Sequence, residues 1–365
     1  MSRFVPVFVG VGSCFLVHFV QGRLIASDAN VLAYDGFDQS LALEWEPIRE
    51  NANRVSLEEK PGHLTISTEL GSLGGNNAAG RLPLTENLYL IENPVVDGGD
   101  FVITTCIVGF EPTQRWQQAG LIVYNDDDNY LKNDMEFSGT RVCFKFIREW
   151  EQKRLLATDR KTPDADKIWI RVVKRGNVYE RLYSHDGEQF ESDGELAWGD
   201  GAPKKLGVIA QNGPARAASI KASFDFFEVR KLTEEEKEDS RQKMREELEG
   251  AWSVVRCRCD GVDLDDPPIR KYEFDNTSLT FFQNGQPMTV EYQLTHEVEP
   301  FGFVMSYPEG NTSTRSKGIY RFDRKTGELT ICLTLEKDKT APDEFTTEPG
   351  DGRLLMTLER ESDSK

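Results

Sequence analysis

Short apolar runs follow one another from about Asp28 to Arg230, each cut off within a few residues by Gly, Asn or Asp. Examples are Leu64–Thr68, Phe101–Phe110, Ala119–Tyr124, Tyr130–Phe137, Val142–Arg148, Ile168–Lys174, Val178–Ser184, Leu206–Ala210 and Ile220–Val229. No helical segments separate them. A chain cut this way lacks the crossover helices that parallel sheets require, so its strands pair antiparallel and close as a sandwich or barrel. At Thr233 the pattern changes. Thr233-Glu234-Glu235-Glu236 reads as a capping box, and Arg241, Lys243 and Arg245 follow where the helix dipole favours cations. Only Met244 and Leu248 are apolar, four residues apart, which predicts a solvated connector helix over 232–249. From Gly250 to Arg360 strands resume: Trp252–Cys259, Lys271–Phe274, Leu279–Gln283, Thr289–His296, Gly302–Tyr307, Gly318–Phe322, Glu328–Leu335 and Leu354–Glu359. Sharp turns at Gln283-Asn284-Gly285-Gln286 and Arg324-Lys325-Thr326-Gly327 suit an up-and-down barrel. The expected class is all-β, with a sandwich over 28–231 and a barrel over 250–361.

The first 22 residues read as an address. Arg3 precedes an apolar run from Phe4 to Val20, and Val20-Gln21-Gly22 offers a cleavage site. Pro6 and the shortness of the run favour cleavage over an uncleaved anchor. Val11-Gly12-Ser13-Cys14 resembles a lipobox, but the apolar stretch continues past Cys14, so a lipid anchor ranks behind a cleaved signal. The expected location is therefore secreted or periplasmic, with no membrane span in the mature chain. Five cysteines remain after cleavage: Cys106, Cys143, Cys257, Cys259 and Cys332. Cys257-Arg258-Cys259 has no zinc spacing, and only His63, His185 and His296 remain beside it.

Several motifs resemble known families. Asp35-Gly36-Phe37, Pro61-Gly62-His63-Leu64, Gly74-Gly75-Asn76-Asn77 and Gln118-Ala119-Gly120-Leu121 lead the first block. Trp169-Ile170-Arg171-Val172, Ser184-His185-Asp186-Gly187 and Phe224-Asp225-Phe226-Phe227-Glu228-Val229 complete it. Over roughly 35–230 it resembles the concanavalin A-like jelly-roll sandwich at the C-terminus of family 43 glycoside hydrolases, and related stand-alone domains of unknown role. In those hydrolases the sandwich is an accessory and the catalytic carboxylates sit on a separate propeller. This chain has no room for a propeller, so the resemblance implies a fold and no activity. Leu248-Glu249-Gly250-Ala251-Trp252, Gly318-Ile319-Tyr320, Leu329-Thr330-Ile331-Cys332-Leu333, Glu344-Phe345-Thr346-Thr347 and Leu354 to Arg360 resemble an uncharacterised bacterial family with a lipocalin-like barrel. That likeness implies Arg360 lying across the face of Trp252.

Chemistry by known signatures is unsupported. No phosphate-binding loop, nucleophile elbow, dinucleotide fingerprint or zinc-protease motif occurs. Glu191-Ser192-Asp193-Gly194-Glu195 imitates the alternating carboxylates of sandwich-fold glycanases, but it follows a hairpin and reads as a chance match. Asn125-Asp126-Asp127-Asp128-Asn129 lacks the Gly and Glu of a calcium loop and reads as a turn. Asn276-Thr277-Ser278 and Asn311-Thr312-Ser313 match glycosylation acceptors and read as loops. No metal and no cofactor is expected. With 62 acidic against 44 basic residues the net charge is −18, which makes nucleic acid a poor partner.

One face stands out. A five-residue turn at 125–129 pairs Tyr124 with Tyr130, Ile122 with Lys132, Gly120 with Asp134 and Gln118 with Glu136. Alternation then gathers Trp116, Gln118, Tyr124, Tyr130, Lys132, Asp134 and Glu136 on one face, with Gly120 opening space among them. Rings with donors and acceptors are what sugars require. The expected function is an exported, non-catalytic carbohydrate-binding or envelope interaction protein, with a polysaccharide or other glycan as partner. The rivals are a secreted glycan-acting enzyme and a carrier of a small apolar ligand inside the barrel.

Overall fold

A computed structural model describes residues 29–361, apart from 74–82, 96–97, 152, 163–164, 198–201, 215, 284–285, 296–299, 310–311, 325 and 337–338. The stretch read as a signal (with Cys14), the Gly74–Asn77 motif, Asn284-Gly285, His296, Asn311 and Lys325 lie outside the described residues. Among the described residues no helix is long and apolar enough to cross a membrane.

The chain is all-β with a single α-helix among its described residues. The first block comprises β1 (Val31–Asp35), β2 (Glu46–Ile48), β3 (Val55–Ser56), β4 (Leu64–Ser67), β5 (Leu88–Glu92), β6 (Phe101–Val108), β7 (Gln118–Asp126), β8 (Asn129–Phe137), β9 (Val142–Trp150) and β10 (Lys153–Lys161). It continues with β11 (Lys167–Arg175), β12 (Val178–Ser184), β13 (Glu191–Ala197), β14 (Lys205–Gln211) and β15 (Lys221–Arg230). Two antiparallel sheets result. One runs β13-β12-β11-β6-β15-β4-β3, with β1 also on β15; the other runs β10-β9-β8-β7-β14-β5-β2. Phe101, Ile103 and Ile170 of the first face Leu121, Leu131, Phe144 and Phe146 of the second, all withdrawn from water. Burying each such ring contributes about 2–3 kcal/mol. A charged group shares this core. The Arg181 guanidinium is fully buried, lies 3.9 Å from the centre of the Phe144 ring and donates from Nε to Asn133 Oδ1 at 2.8 Å. It also donates to Asp193 of β13.

Strands β1, β2, β3, β5, β10 and β13 have no counterpart in the expected set. β10 and β13 are the terminal strands of their sheets and carry charge on both faces, so no alternation marks them. The Glu191–Glu195 stretch, read as a chance carboxylate match after a hairpin, belongs to strand β13. A bulge between Arg181 and Leu182 falls opposite Asp193 and breaks its alternation.

Thr233 caps helix α1 (Glu234–Leu248), with the capping box complete. The helix is less solvated than its narrow stripe predicts. Arg230 grips Glu236 through two bonds of 2.7 Å, and Arg175 Nε donates to Ser240 Oγ at 2.6 Å. Burial raises the Glu236 carboxyl, but Arg230 and the Thr233 N–H outweigh that and hold it at about 2. Met244 and Leu248 pack on the second block's core.

That block is a closed barrel of β16 (Gly250–Cys259), β17 (Val262–Asp263), β18 (Ile269–Phe274), β19 (Ser278–Gln283), β20 (Gln286–Thr295), β21 (Phe301–Glu309), β22 (Thr312–Asp323), β23 (Glu328–Thr334) and β24 (Arg353–Arg360). Strands pair in sequence, β17 hangs on β16, and β16 meets β24 to close the ring. Trp252, fully buried, sits opposite Arg360. The Arg360 guanidinium lies 4.7 Å from the indole centre, as the resemblance implied. Its other contacts explain its position. It donates to the carbonyls of Glu247 and Glu249, while Trp252 Nε1 donates to the Leu248 carbonyl at 2.7 Å. Three orphan carbonyls at the helix C-terminus are thereby satisfied by the barrel.

Replacing Arg360 by Ala removes the stack and two carbonyl bonds, so urea unfolding should show about 1–3 kcal/mol less stability. Arg360→Lys should recover little of it, because one ammonium cannot fork to two carbonyls. An unchanged midpoint in either variant would refute this account of the joint.

Candidate functional site

The β7–β8 register is the one expected: Gln118 faces Glu136, Gly120 Asp134, Ile122 Lys132 and Tyr124 Tyr130. The connection is tighter than five residues. Asp126 pairs with Asn129, leaving Asp127 and Asp128 as the loop, and the Asp126 carboxylate accepts the Asp128 N–H at 2.9 Å. Asp127 is held by both Arg49 nitrogens at 3.0 Å.

Neighbouring strands extend the face. Gln211 of β14 lies beside Gln118. Cys143, Lys145, Ile147 and Glu149 of β9 lie beside Glu136, Asp134, Lys132 and Tyr130. On β10, Arg154, Leu156, Asp159 and Lys161 follow. Alternation along Val142–Arg148 made the β9 members legible; those of β10 carried no signal.

The polar groups interlock. Lys132 Nζ lies 2.9 Å from Asp134 Oδ2 and donates to Gln118 Oε1. Gln118 Nε2 donates to Glu136 Oε2 at 3.2 Å and to the Trp116 carbonyl at 3.1 Å. Lys145 Nζ pairs with Asp159 at 2.8 Å, and this bond, the largest influence, holds the Asp159 carboxyl below its ordinary range. Tyr130 donates to Glu149 at 3.1 Å and Tyr124 to Asp127 at 2.9 Å. Burial, and then the nearby Asp134 charge, push the Glu136 carboxyl up to about 7.

Three expectations need correction. First, the face is not open. Asp134 is fully buried, and Tyr130, Lys132, Gln118, Tyr124 and Glu136 are at most 6% exposed. Leu73 joins Leu90, Ile122, Tyr124, Tyr130 and Ile209 in one cluster, and Thr85 donates to Gln211 Oε1. Leu73 and Thr85 thus lie over the β14–β7 half. Second, Gly120 opens no space: a Cβ there would stand 2.7 Å from Asp134 Cβ. Its lack of a side chain admits Asp134. Third, Trp116 precedes β7 with a φ of 70°, which breaks the alternation that assigned it to this face. It packs beneath the Arg115 guanidinium, 4.5 Å away. The exposed part of the face is the β10 side, where Arg154, Leu156, Asp159 and Lys161 meet solvent.

The glycanase-like carboxylates are engaged elsewhere. Asp193 pairs with Arg181, Glu191 accepts from Tyr183, and Glu195 lies 3.4 Å from Arg324 of the barrel. Among the described residues no group of His, Cys, Asp and Glu is arranged to hold a metal ion. A cleft of about 610 Å³ on the barrel involves Pro267, Phe282, Arg270 and Lys271, and both cations there are paired, with Asp266 and Glu361.

A jelly-roll sandwich joined to a closed barrel, with an interlocked polar row on one sheet, is the class of protein that these features define. Residues 95–232 match the family model described as protein of unknown function (DUF1349). Among solved structures, the GH43 protein BlXynB from Bacillus licheniformis is 20% identical at a TM-score of 0.47, over 55% of this chain and 39% of its own. A xylan β-1,4-xylosidase from Bacillus halodurans C-125 is 17% identical at 0.44, over 54% and 39%. A functionally unknown protein from Saccharomyces cerevisiae is 17% identical at 0.43, over 52% of this chain and 97% of its own. The chain thus spans about two fifths of the length of the hydrolases it resembles. No curated protein sequence matches it.

Glu136 supplies a pH test. Its carboxyl keeps a proton up to about pH 7 when folded but only to its ordinary 4.5 when unfolded. The folded state therefore binds the extra proton between those values, and stability falls as pH rises through that window. Glu136→Gln should be more stable than the parent by about 1–3 kcal/mol at pH 8 and nearly equal at pH 5, read from urea midpoints. Parallel pH curves for the two proteins would contradict it.

Proposed function

We propose that this chain is an exported, non-catalytic protein that binds a glycan against the seven-stranded sheet. The observation that carries the reading is the interlocked row from Gln118 through Lys132 and Asp134, with Lys145 beside it, to the exposed rim on β10. Its donors and acceptors are fixed before any ligand arrives, so binding hydroxyls at the rim requires little reordering. Leu156 supplies apolar surface for a ring face on the same side, 45% exposed. The barrel-carrier reading has less support, because Trp252, Tyr272, Phe274, Phe303 and Tyr320 fill the barrel interior.

One observation favours the enzyme reading. Glu136, raised to about 7, stands two residues from Asp134 on one face, the pairing of an acid with a nucleophile. Against it, Lys132 fastens Asp134, Gln118 fastens Glu136, and both carboxylates are buried.

A panel of immobilised polysaccharides, neutral and charged, tests both readings. Binding without new reducing ends is expected. Leu156→Trp should weaken it about tenfold or more by obstructing the rim. Val262→Trp, on the 60% exposed barrel position, should leave it unchanged. Equal loss in both, or none in Leu156→Trp, would remove this face as the site; released reducing ends would favour the enzyme.

A further inference from the structure

We propose, building on the glycan reading of this face, that its ligand is an anionic polysaccharide lying along strand β10. The chain carries a net −18, yet residues 141–161 hold seven Lys or Arg against three Asp or Glu. Burial sharpens that local excess. The anions of the face lie deep: Asp134 is fully buried, Glu149 is 1% exposed and Glu136 6%. The cations stand outside them. Arg141 is about half exposed, and Arg154 and Lys161 on this face are exposed; Lys153 and Arg160 point to the other side of the strand, where Arg160 meets Glu191. Only Glu151 and Asp159 are exposed anions on this hairpin. A ligand reaching β10 therefore meets more positive than negative charge, because Asp159, the exposed anion of the strand, is already paired with Lys145 and Arg141.

Geometry fits a polymer. β10 is the terminal strand of its sheet, and its nine residues extend about 30 Å. Leu156 lies near its middle on this face, 45% exposed, with Arg154 before it and Lys161 at the far end. This gives apolar contact for ring faces between two anchors for carboxylate or sulfate groups. The chain's overall negative charge does not prevent such contact, because at physiological salt the screening length is about 8 Å and the near patch dominates.

The test uses full-length exported protein with polygalacturonate, alginate and chondroitin sulfate, and fully methyl-esterified polygalacturonate as an uncharged control with the same backbone. Binding to at least one polyanion is expected, falling about tenfold between 50 and 300 mM NaCl, with the ester bound weakly. The variant Arg154→Gln, Lys161→Gln changes only exposed side chains and should melt like the parent. It should lose about tenfold or more in polyanion affinity. Equal binding of polygalacturonate and its ester, or binding of neutral glycans alone, would overturn the anionic ligand while leaving the glycan site standing. Polyanion binding that this double variant leaves unchanged would overturn the placement on β10. Failure of every glycan, charged or neutral, would overturn both readings.

Discussion

Where a sheet is withdrawn from water on both faces its polar side chains must pair internally, and the β14-β7-β8-β9 part of the seven-stranded sheet depends on that condition. One face meets the sandwich core, which is apolar except where Asn133 accepts from the buried Arg181 of the facing sheet. The other carries Gln118, Lys132, Asp134, Glu136 and Lys145, each at most 7% exposed. An unpaired charge at such depth costs several kcal/mol. The sheet meets the condition by register: Gln118 lies opposite Glu136 and within reach of Lys132, and Lys132 lies two residues from Asp134. A slip of one residue would drive Lys132 into the core against Phe144 and Phe146. The polar row therefore specifies the pairing as strongly as the apolar one does. It also leaves a residue of frustration, for Asp134 Oδ1 accepts no hydrogen bond and Glu136 retains a proton near neutrality.

The joint between the blocks follows the same logic at a helix end. A helix whose apolar stripe is only Met244 and Leu248 gains little from burial. Its position is fixed by polar groups instead: Arg230 and Arg175 from the sandwich near its start, Arg360 and Trp252 from the barrel at its end. Further contacts tie the blocks. Arg324 reaches Glu247 at 2.7 Å and Glu195 at 3.4 Å, and the Phe301 ring rests on the Gly176 turn. Gly176 adopts a φ of 53°, and any side chain there would meet that ring.

Much of this was legible in the sequence where one physical rule acted alone. Period-two alternation with Asn and Asp turns located the β7–β8 pair to the residue, and the capping box located the start of the helix. All eight barrel strands were legible, because each alternates between a filled interior and solvent. Legibility failed where two rules compete. β10 and β13 sit at sheet ends and carry charge on both faces, so alternation is silent. The burial of the Tyr124 and Tyr130 face depends on Leu73 and Thr85, which lie some fifty residues earlier in the chain. No local pattern announces that distant residues will cover a face whose alternation reads polar-out. Trp116 misled for a local reason: its left-handed backbone interrupts the alternation just before the strand begins.

The covered face changes what its aromatic residues can be. Tyr124 and Tyr130 looked like platforms for sugar rings. Their hydroxyls instead donate to Asp127 and Glu149, and burial, the dominant influence, raises both above the ordinary tyrosine range. They are structural supports, anchoring the sheet to its hairpin loop and to β9. On the proposed glycan reading, recognition falls to groups that combine exposure with an organised base. Arg154 stands opposite Glu149, Asp159 is tied to Lys145, and Leu156 lies opposite Ile147. Each rim residue is thus paired with a buried residue of the next strand. A ligand that displaces one rim contact acts on a prearranged row rather than on loose side chains, which is the property that separates a built surface from a merely charged one.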